Sequence, residues 1–142
     1  MKRPLYETPD DKIREEAVIK EICNVWHCEA RALEKNSYMD FEIVTKDGVV
    51  RAICELKCRS NTHDKYPTYM ISKMKIERGR MMAKEREVPA ILFVHFEDDI
   101  MFLDMSEVPD HTSIGGRSDR NDPLDTELVN HYRIDQLTTI YE

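Results

Sequence analysis

Two carboxylates and a lysine in the first half of the chain are the residues best suited to chemistry: Asp40, then Glu55 and Lys57 after fourteen intervening residues. Asp47-Gly48 falls between them, and this dipeptide favours a tight hairpin because a type I′ turn needs positive φ at both central positions. With a two-residue turn, Lys46 pairs with Val49. Counting outwards, Asp40 stands opposite Glu55, Tyr38 opposite Lys57, Glu42 opposite Ile53 and Val44 opposite Arg51. The other face pairs Met39 with Leu56, Phe41 with Cys54, Ile43 with Ala52 and Thr45 with Val50, and it is almost wholly apolar. Directly opposed side chains have Cβ atoms about 4.5–5.5 Å apart, and like charges there are destabilising. An Asp facing a Glu therefore calls for a cation. Lys57 supplies one, and a hard divalent ion such as Mg²⁺, which prefers oxygen ligands, would supply another. The plainer alternative is a solvent-facing sheet surface whose charges repel mildly. A one-residue slip would turn Asp40 toward the core and lose the apolar face with it.

The elements that must position these residues can be read in order. Thr8 is a suitable N-cap, Pro9 a first helical residue, and Asp10 and Asp11 suit the positive end of a helix whose apolar positions are Ile13, Ala17, Val18 and Ile22 and which should end near Ile22. Strands are expected over about Asn24–Leu33, Tyr38–Val44 and Val49–Cys58. A polar loop, Arg59–Lys65, leads to a long helix over about Thr68–Arg86, closed by Pro89. Ala90–Phe96 is apolar on both faces, as a central buried strand should be, and Ile100–Asp104 makes a further short strand. An irregular stretch, Pro109–Asp122, then precedes an edge strand at Leu128–Ile134 and a terminal turn capped by Asp135. The order is α-β-β-β-α-β-β, an α+β sheet with helices packed on it.

An Asp in one strand, a hairpin, and Glu-x-Lys in the next strand, between an initial helix and a long one, resembles the PD-(D/E)XK nuclease superfamily. The motif here is Met39-Asp40 followed by Glu55-Leu56-Lys57, and the resemblance spans about Arg14 to Met105. Met39 stands where the family's motif has proline, a position that varies within it. The resemblance implies a restriction-endonuclease-like core with a mixed central sheet flanked by helices. It further implies a nuclease in which Asp40, Glu55 and the carbonyl of Leu56 hold Mg²⁺ or Mn²⁺ while Lys57 orients the attacking water. Metal ions in such sites polarise the phosphoryl oxygen and lower the pKa of bound water. Many members add a glutamate from the first helix. Glu15 is the candidate, with Glu16 its rival. The long helix is the next contributor: Tyr69 and Lys73, four residues apart on one helical face, and Lys75 are candidates for nucleic-acid contact. Arg117 and Arg120, near Gly115-Gly116, are candidates for phosphate, with Asp119, Asp122 and Asp125 as competing partners.

The bulk properties agree only in part. The 142 residues suit one domain, with a core over about 10–105 and a C-terminal extension over about 106–142. A net charge of −7 argues against nucleic acid, but Arg51–Arg86 carries ten Lys/Arg against four Asp/Glu, so the middle is basic within an acidic chain. No apolar run approaches the roughly 20 residues that cross a bilayer, and the first residues show no signal-peptide core, which leads to the expectation of an intracellular protein, in the host cell if phage-encoded. Cys54 and Cys58, four apart in a strand, lie about 13 Å apart at about 3.3 Å per residue, too far for one zinc ion. The four cysteines are therefore expected to be inert thiols.

The expected activity is that of a DNA endo- or exonuclease, acting on branched DNA or on DNA ends. A junction-cleaving enzyme would need two active sites and hence a homodimer. The rival readings are a nucleic-acid-binding protein that keeps the fold without catalysis, and a protein-interaction module using the acidic C-terminal half.

Overall fold

The computed structural model describes residues 9–116 and 126–142. Helix α1, Pro9–Trp26, leads into strands β1 (Glu29–Ala32), β2 (Phe41–Val44) and β3 (Val50–Cys58). Strand β4 (Thr68–Ser72) runs directly into helix α2 (Lys73–Arg86), followed by β5 (Ala90–His95), β6 (Ile100–Asp104), β7 (His111–Gly116), β8 (Thr126–Arg133), a 3₁₀ turn at Ile134–Gln136, and β9 (Thr138–Thr139).

Six strands form a mixed sheet in the order β1-β2-β3-β5-β6-β9, antiparallel except for the central parallel pair β3 and β5. The parallel pair follows from the helical crossover α2 between them. One face of the sheet is covered by α1, where Val18 and Ile22 pack on Phe41, Cys54, Leu56 and Phe93. The other is covered by α2 and a second, antiparallel sheet in the order β4-β8-β7, joining Ile76, Tyr69 and Tyr132 to Ile53, Leu92 and Met105.

Four expectations are corrected, one being that the strand expected at the edge over Leu128–Ile134, β8, is the middle strand of the second sheet, paired on both sides. The first helix does not stop near Ile22 but continues to Trp26, because Ile19, Val25 and Trp26 extend its apolar stripe onto the sheet. Trp26 lies 5.2 Å from Phe93 and 5.0 Å from Phe102 between ring centroids. The helix closes at His27, φ 54°, where the Cys28 N–H donates to the Cys23 carbonyl at 3.0 Å. The second helix does not begin at Thr68. Thr68–Ser72 alternates burial with period two, Tyr69 and Ile71 inward, and pairs with β8. The helix starts only after Ser72, whose hydroxyl caps it by accepting from the Lys75 N–H at 3.4 Å. The stretch expected to be irregular after Pro109 instead supplies β7, the edge of the second sheet.

Helix α2 lies close on the main sheet because Gly79 has no side chain: a Cβ there would collide with the Met105 thioether. Gly79 sits one helical turn after Lys75, so this close approach also sets how far Lys75 reaches over the sheet.

Candidate active site

The hairpin between β2 and β3 follows the expected register by an unexpected route. The turn has three residues, Lys46-Asp47-Gly48, closed by Thr45 N–H to Val49 carbonyl and Gly48 N–H to Thr45 carbonyl, both 2.9 Å, with Gly48 at φ 84°. This is the three-residue loop that glycine in the left-handed region permits. Val44 consequently pairs with Val50 rather than Arg51. A bulge then restores step, so Ile43 pairs with Ala52, Glu42 with Ile53 and Phe41 with Cys54, as anticipated.

Beyond Phe41 the regular ladder ends, and Asp40 begins the irregularity. Its N–H donates to the Cys54 carbonyl at 2.9 Å and its carbonyl accepts from the Leu33 N–H at 3.0 Å. Its side chain takes the place of a backbone acceptor: Oδ2 receives the Leu56 N–H at 2.9 Å. The break also swings Met39 into the core on the α2 side, away from Phe41 and Leu56, with which it was expected to share a face.

Strand alternation sends Cys54, Leu56 and Cys58 toward α1 and Glu55, Lys57 and Arg59 to the other face. Glu55 is 3% exposed, a rare burial for a carboxylate. Lys57 Nζ lies 3.4 Å from its Oε2 and Lys75 Nζ 3.3 Å from its Oε1. Lys75 also donates to the Tyr38 carbonyl at 2.7 Å, tying α2 to the segment that carries Asp40. Burial raises the Glu55 pKa, as does the Asp40 charge, while the two lysines pull it back without cancelling the rise. The arrangement is thus an acidic pair that two lysines only partly neutralise.

The donor set fits a hard divalent cation. Both carboxylates supply oxygen, their mutual repulsion is the conflict a cation relieves, and the second oxygen of Asp40 has no hydrogen bond or ion pair among the described residues. Among the described residues, one group of three His, Cys, Asp or Glu side chains has its ligand atoms within 4.8 Å of one another: His63, Asp64 and Asp98. These side chains brace a loop. His63 Nδ1 meets Asp98 at 2.6 Å, the His63 N–H donates to the same carboxylate at 2.9 Å, and Thr62 donates to Asp64 at 3.0 Å.

The remaining candidates separate. Lys75 joins the acidic pair, whereas Lys73, the first residue of α2, is half-buried at the helix start. Tyr69 shares no helical face with Lys73, because it lies in β4; it is 5% exposed and its hydroxyl accepts from Arg59 at 3.0 Å. Burial pushes its phenol up to about 12. Glu15 is half-buried on α1, and its charge is felt at Cys58, immediately after Lys57. Arg117 and Arg120 lie outside the described residues. Glu42 is drawn to Arg31 at 2.9 Å and Arg86 at 3.4 Å. The four cysteines are free thiols, and burial pushes Cys28 up to about 12.

Sequence reasoning missed two arginines. Arg14 joins α1 to the ends of β3 and β5, donating to His95 Nδ1 at 3.0 Å and the Arg59 carbonyl at 2.6 Å. Arg59, assigned to a loop, continues the Glu55, Lys57 alternation by one more step, a period-two signal that was present in the sequence.

A mixed sheet with a parallel centre, an Asp where one strand breaks, Glu-x-Lys on the next and a helix laid across them define a restriction-endonuclease-like fold. The chain belongs to the family described as "Phage putative PDDEXK endonuclease", whose model matches residues 1–140. The class is that of a PD-(D/E)XK nuclease. The fold is similar to that of Archaeoglobus fulgidus Hjc, a Holliday junction resolvase from an archaeal hyperthermophile, with a TM-score of 0.52 and 10% sequence identity over 82% of this chain and 80% of that one. No protein of curated function matches the sequence significantly. No helix among the described residues is long and apolar enough to cross a membrane.

Proposed function

We propose that the protein is a divalent-metal-dependent DNA endonuclease that hydrolyses phosphodiester bonds at the Asp40, Glu55 and Lys57 site. The observation that carries this reading is the pairing of a buried, incompletely neutralised Glu55 with an Asp40 carboxylate anchored on the Leu56 N–H. Asp40, Glu55 and the Leu56 carbonyl would hold Mg²⁺ or Mn²⁺, whose chemistry when bound is to polarise the phosphoryl oxygen and acidify water. Lys57 orients the attacking water and stabilises charge on the phosphate. Lys75 holds Glu55 in place and, with Lys73, offers positive charge to the strand. Glu15 joins the site from α1 at the Cys58 end.

Branched DNA is the finer substrate reading. It is supported by the name of the similarly folded resolvase and by a cleft between the two sheets that Lys57 and Lys75 line. Cutting both strands of a junction would need two copies of this chain. The test is titration of Mn²⁺ into the wild type and Glu55→Ala, followed by both on linear, single-stranded and branched DNA. Binding and cleavage in the wild type, both lost in Glu55→Ala, are expected. A wild type that binds no Mn²⁺ even with DNA present would leave Asp40 and Glu55 as structural carboxylates, one a backbone acceptor and the other a buried partner of two lysines.

A further inference from the structure

The side of the site away from Asp40 holds a feature that phosphate hydrolysis does not explain. A cavity of about 430 Å³ lies beyond Arg59, walled by Tyr66, Tyr69, Met70 and Phe96, with Asn61 on its rim. A second cavity, also about 430 Å³, contains Lys57 and Lys75. The two share Arg59 and Met70, so they meet at the Arg59 side chain.

Arg59 is set up to receive an anion. It follows Lys57 by two residues, one past the end of β3, about 6–7 Å further along the extended chain. Its guanidinium is held by the Tyr69 hydroxyl at 3.0 Å and the Cys58 carbonyl at 3.1 Å, and it stacks 5.3 Å from the Tyr69 ring centre. No carboxylate pairs with it among the described residues, and none lines the cavity beyond it, although the chain carries a net charge of −7. Arg in such a preorganised setting is suited to phosphate.

The cavity itself is suited to a flat ring. Tyr66 and Met70 are 54% and 56% exposed, so large apolar surfaces stand open at its mouth. The Asn61 amide nitrogen donates to the Thr62 carbonyl at 2.8 Å, and its amide oxygen has no partner among the described residues. Aromatic and apolar walls with one polar acceptor are how proteins hold an unstacked base. A base within a duplex has both faces covered by its neighbours and could not enter.

We propose that this cavity binds one unpaired nucleotide of the DNA substrate, with its phosphate on Arg59 and its base against Tyr66 and Met70, adjacent to the bond cut at Lys57. The proposal rests on the nuclease reading above and adds that the enzyme selects DNA in which a nucleotide is displaced, as at a flap, gap or branch.

The test uses two DNA duplexes of equal length in Ca²⁺ to hold off cleavage, one fully paired and one with a single unpaired 2-aminopurine. The full chain is compared with Tyr66→Ala and Met70→Ala, whose exposed positions spare the fold, as thermal melting will confirm. The wild type should prefer the unpaired DNA and change its fluorescence, and Tyr66→Ala should reduce that preference about ten-fold, the scale of one lost base stack. An unchanged preference in both variants, or an equal loss on both DNAs, would overturn the pocket. A wild type that cuts in Mg²⁺ without preferring the unpaired DNA sinks the pocket and leaves the nuclease reading standing. A wild type that neither binds nor cuts either DNA sinks both.

Discussion

The carboxylate of Asp40 accepts the backbone N–H of Leu56 at 2.9 Å, so a side chain supplies the hydrogen bond that the neighbouring strand would otherwise provide. The bond does two things at once. It satisfies a donor on a buried residue, and it fixes a negative charge beside Glu55, where that charge is unfavourable without a cation. Asn and Ala at position 40 should therefore differ. Asp40→Asn keeps an acceptor for Leu56 and removes the charge, so it should melt near the wild type while losing cleavage by about 100-fold or more, in line with removal of a group that stabilises transition-state charge. Asp40→Ala should lose cleavage equally and also lose about 1–3 kcal/mol of stability, because the Leu56 N–H is left unsatisfied. Equal melting of the two variants would show that the bond contributes nothing.

Glu55 makes stability pH-dependent in a direction opposite to that of an ordinary ion-paired carboxylate. Its folded-state pKa is raised by burial and by Asp40 above the usual 4.5. The folded state therefore holds this proton more tightly than the unfolded chain does, and stability falls as pH rises through the window between the two values. Glu55→Gln cannot ionise. In metal-free buffer the wild type should lose stability relative to Glu55→Gln as pH climbs from below 4.5 to neutrality, and urea unfolding of both across that range reads the difference. Mn²⁺ binding, which needs the ionised carboxylate, should strengthen as pH rises through that window, and isothermal titration at several pH values reads it.

The two lysines on Glu55 should be separable. Lys57 comes from β3 itself, while Lys75 reaches across from α2 and also grips the Tyr38 carbonyl. Lys57→Met should abolish cleavage by about 100-fold or more with Mn²⁺ affinity retained, since the lysine acts on water and phosphate rather than on the metal. Lys75→Met leaves Glu55 with one fewer counter-charge. It should lower stability by about 1 kcal/mol, a value discounted for the partial exposure of the lysine, and added Mn²⁺ should restore more stability than it adds to the wild type. Thermal melts with and without Mn²⁺ check both.

Gly79 controls the distance between α2 and the main sheet. Gly79→Val would press a branched side chain against Met105 and Met39 and should cost about 1–3 kcal/mol by overpacking, plus a reduced kcat because Lys75 rides on the same helix. Gly79→Val combined with Met105→Ala should recover part of the stability, and denaturant unfolding of the single and double variants reads the coupling.

The central hairpin, the faces of β3 and the acidic pair were legible because strand alternation needs only the identity of every second residue. The expected pairing of Phe41, Glu42 and Ile43 survived even though the turn is one residue longer than Asp47-Gly48 implied, since a bulge compensated, but Asp40 itself lies beyond the regular ladder, with its carboxylate on the Leu56 N–H. The start of α2 was not legible. Ser72, Ile76, Gly79 and Ala83 make one helical stripe and Met70, Ile71 and Met74 another, so that Thr68–Ser72 reads as a first helical turn, and the partner that decides for a strand, β8, lies more than fifty residues away. Tyr69 and Lys73 were placed on one face for that reason. Arg59 was missed because a polar run after a strand reads as loop, although its N–H still donates to the His95 carbonyl at 2.8 Å.

By itself, then, the sequence determined that Asp40, Glu55 and Lys57 lie close together, because hairpin pairing is local and its period is two. Only the tertiary structure decided that Lys75 rather than Lys73 completes the charge on Glu55, that Tyr69 is packed away behind Arg59, and that a cleft opens beyond Lys57. Those outcomes depend on how α2 and the second sheet settle on the first. That docking is set by long-range packing around Gly79, Ile76 and Tyr132, and no spacing along the chain encodes it.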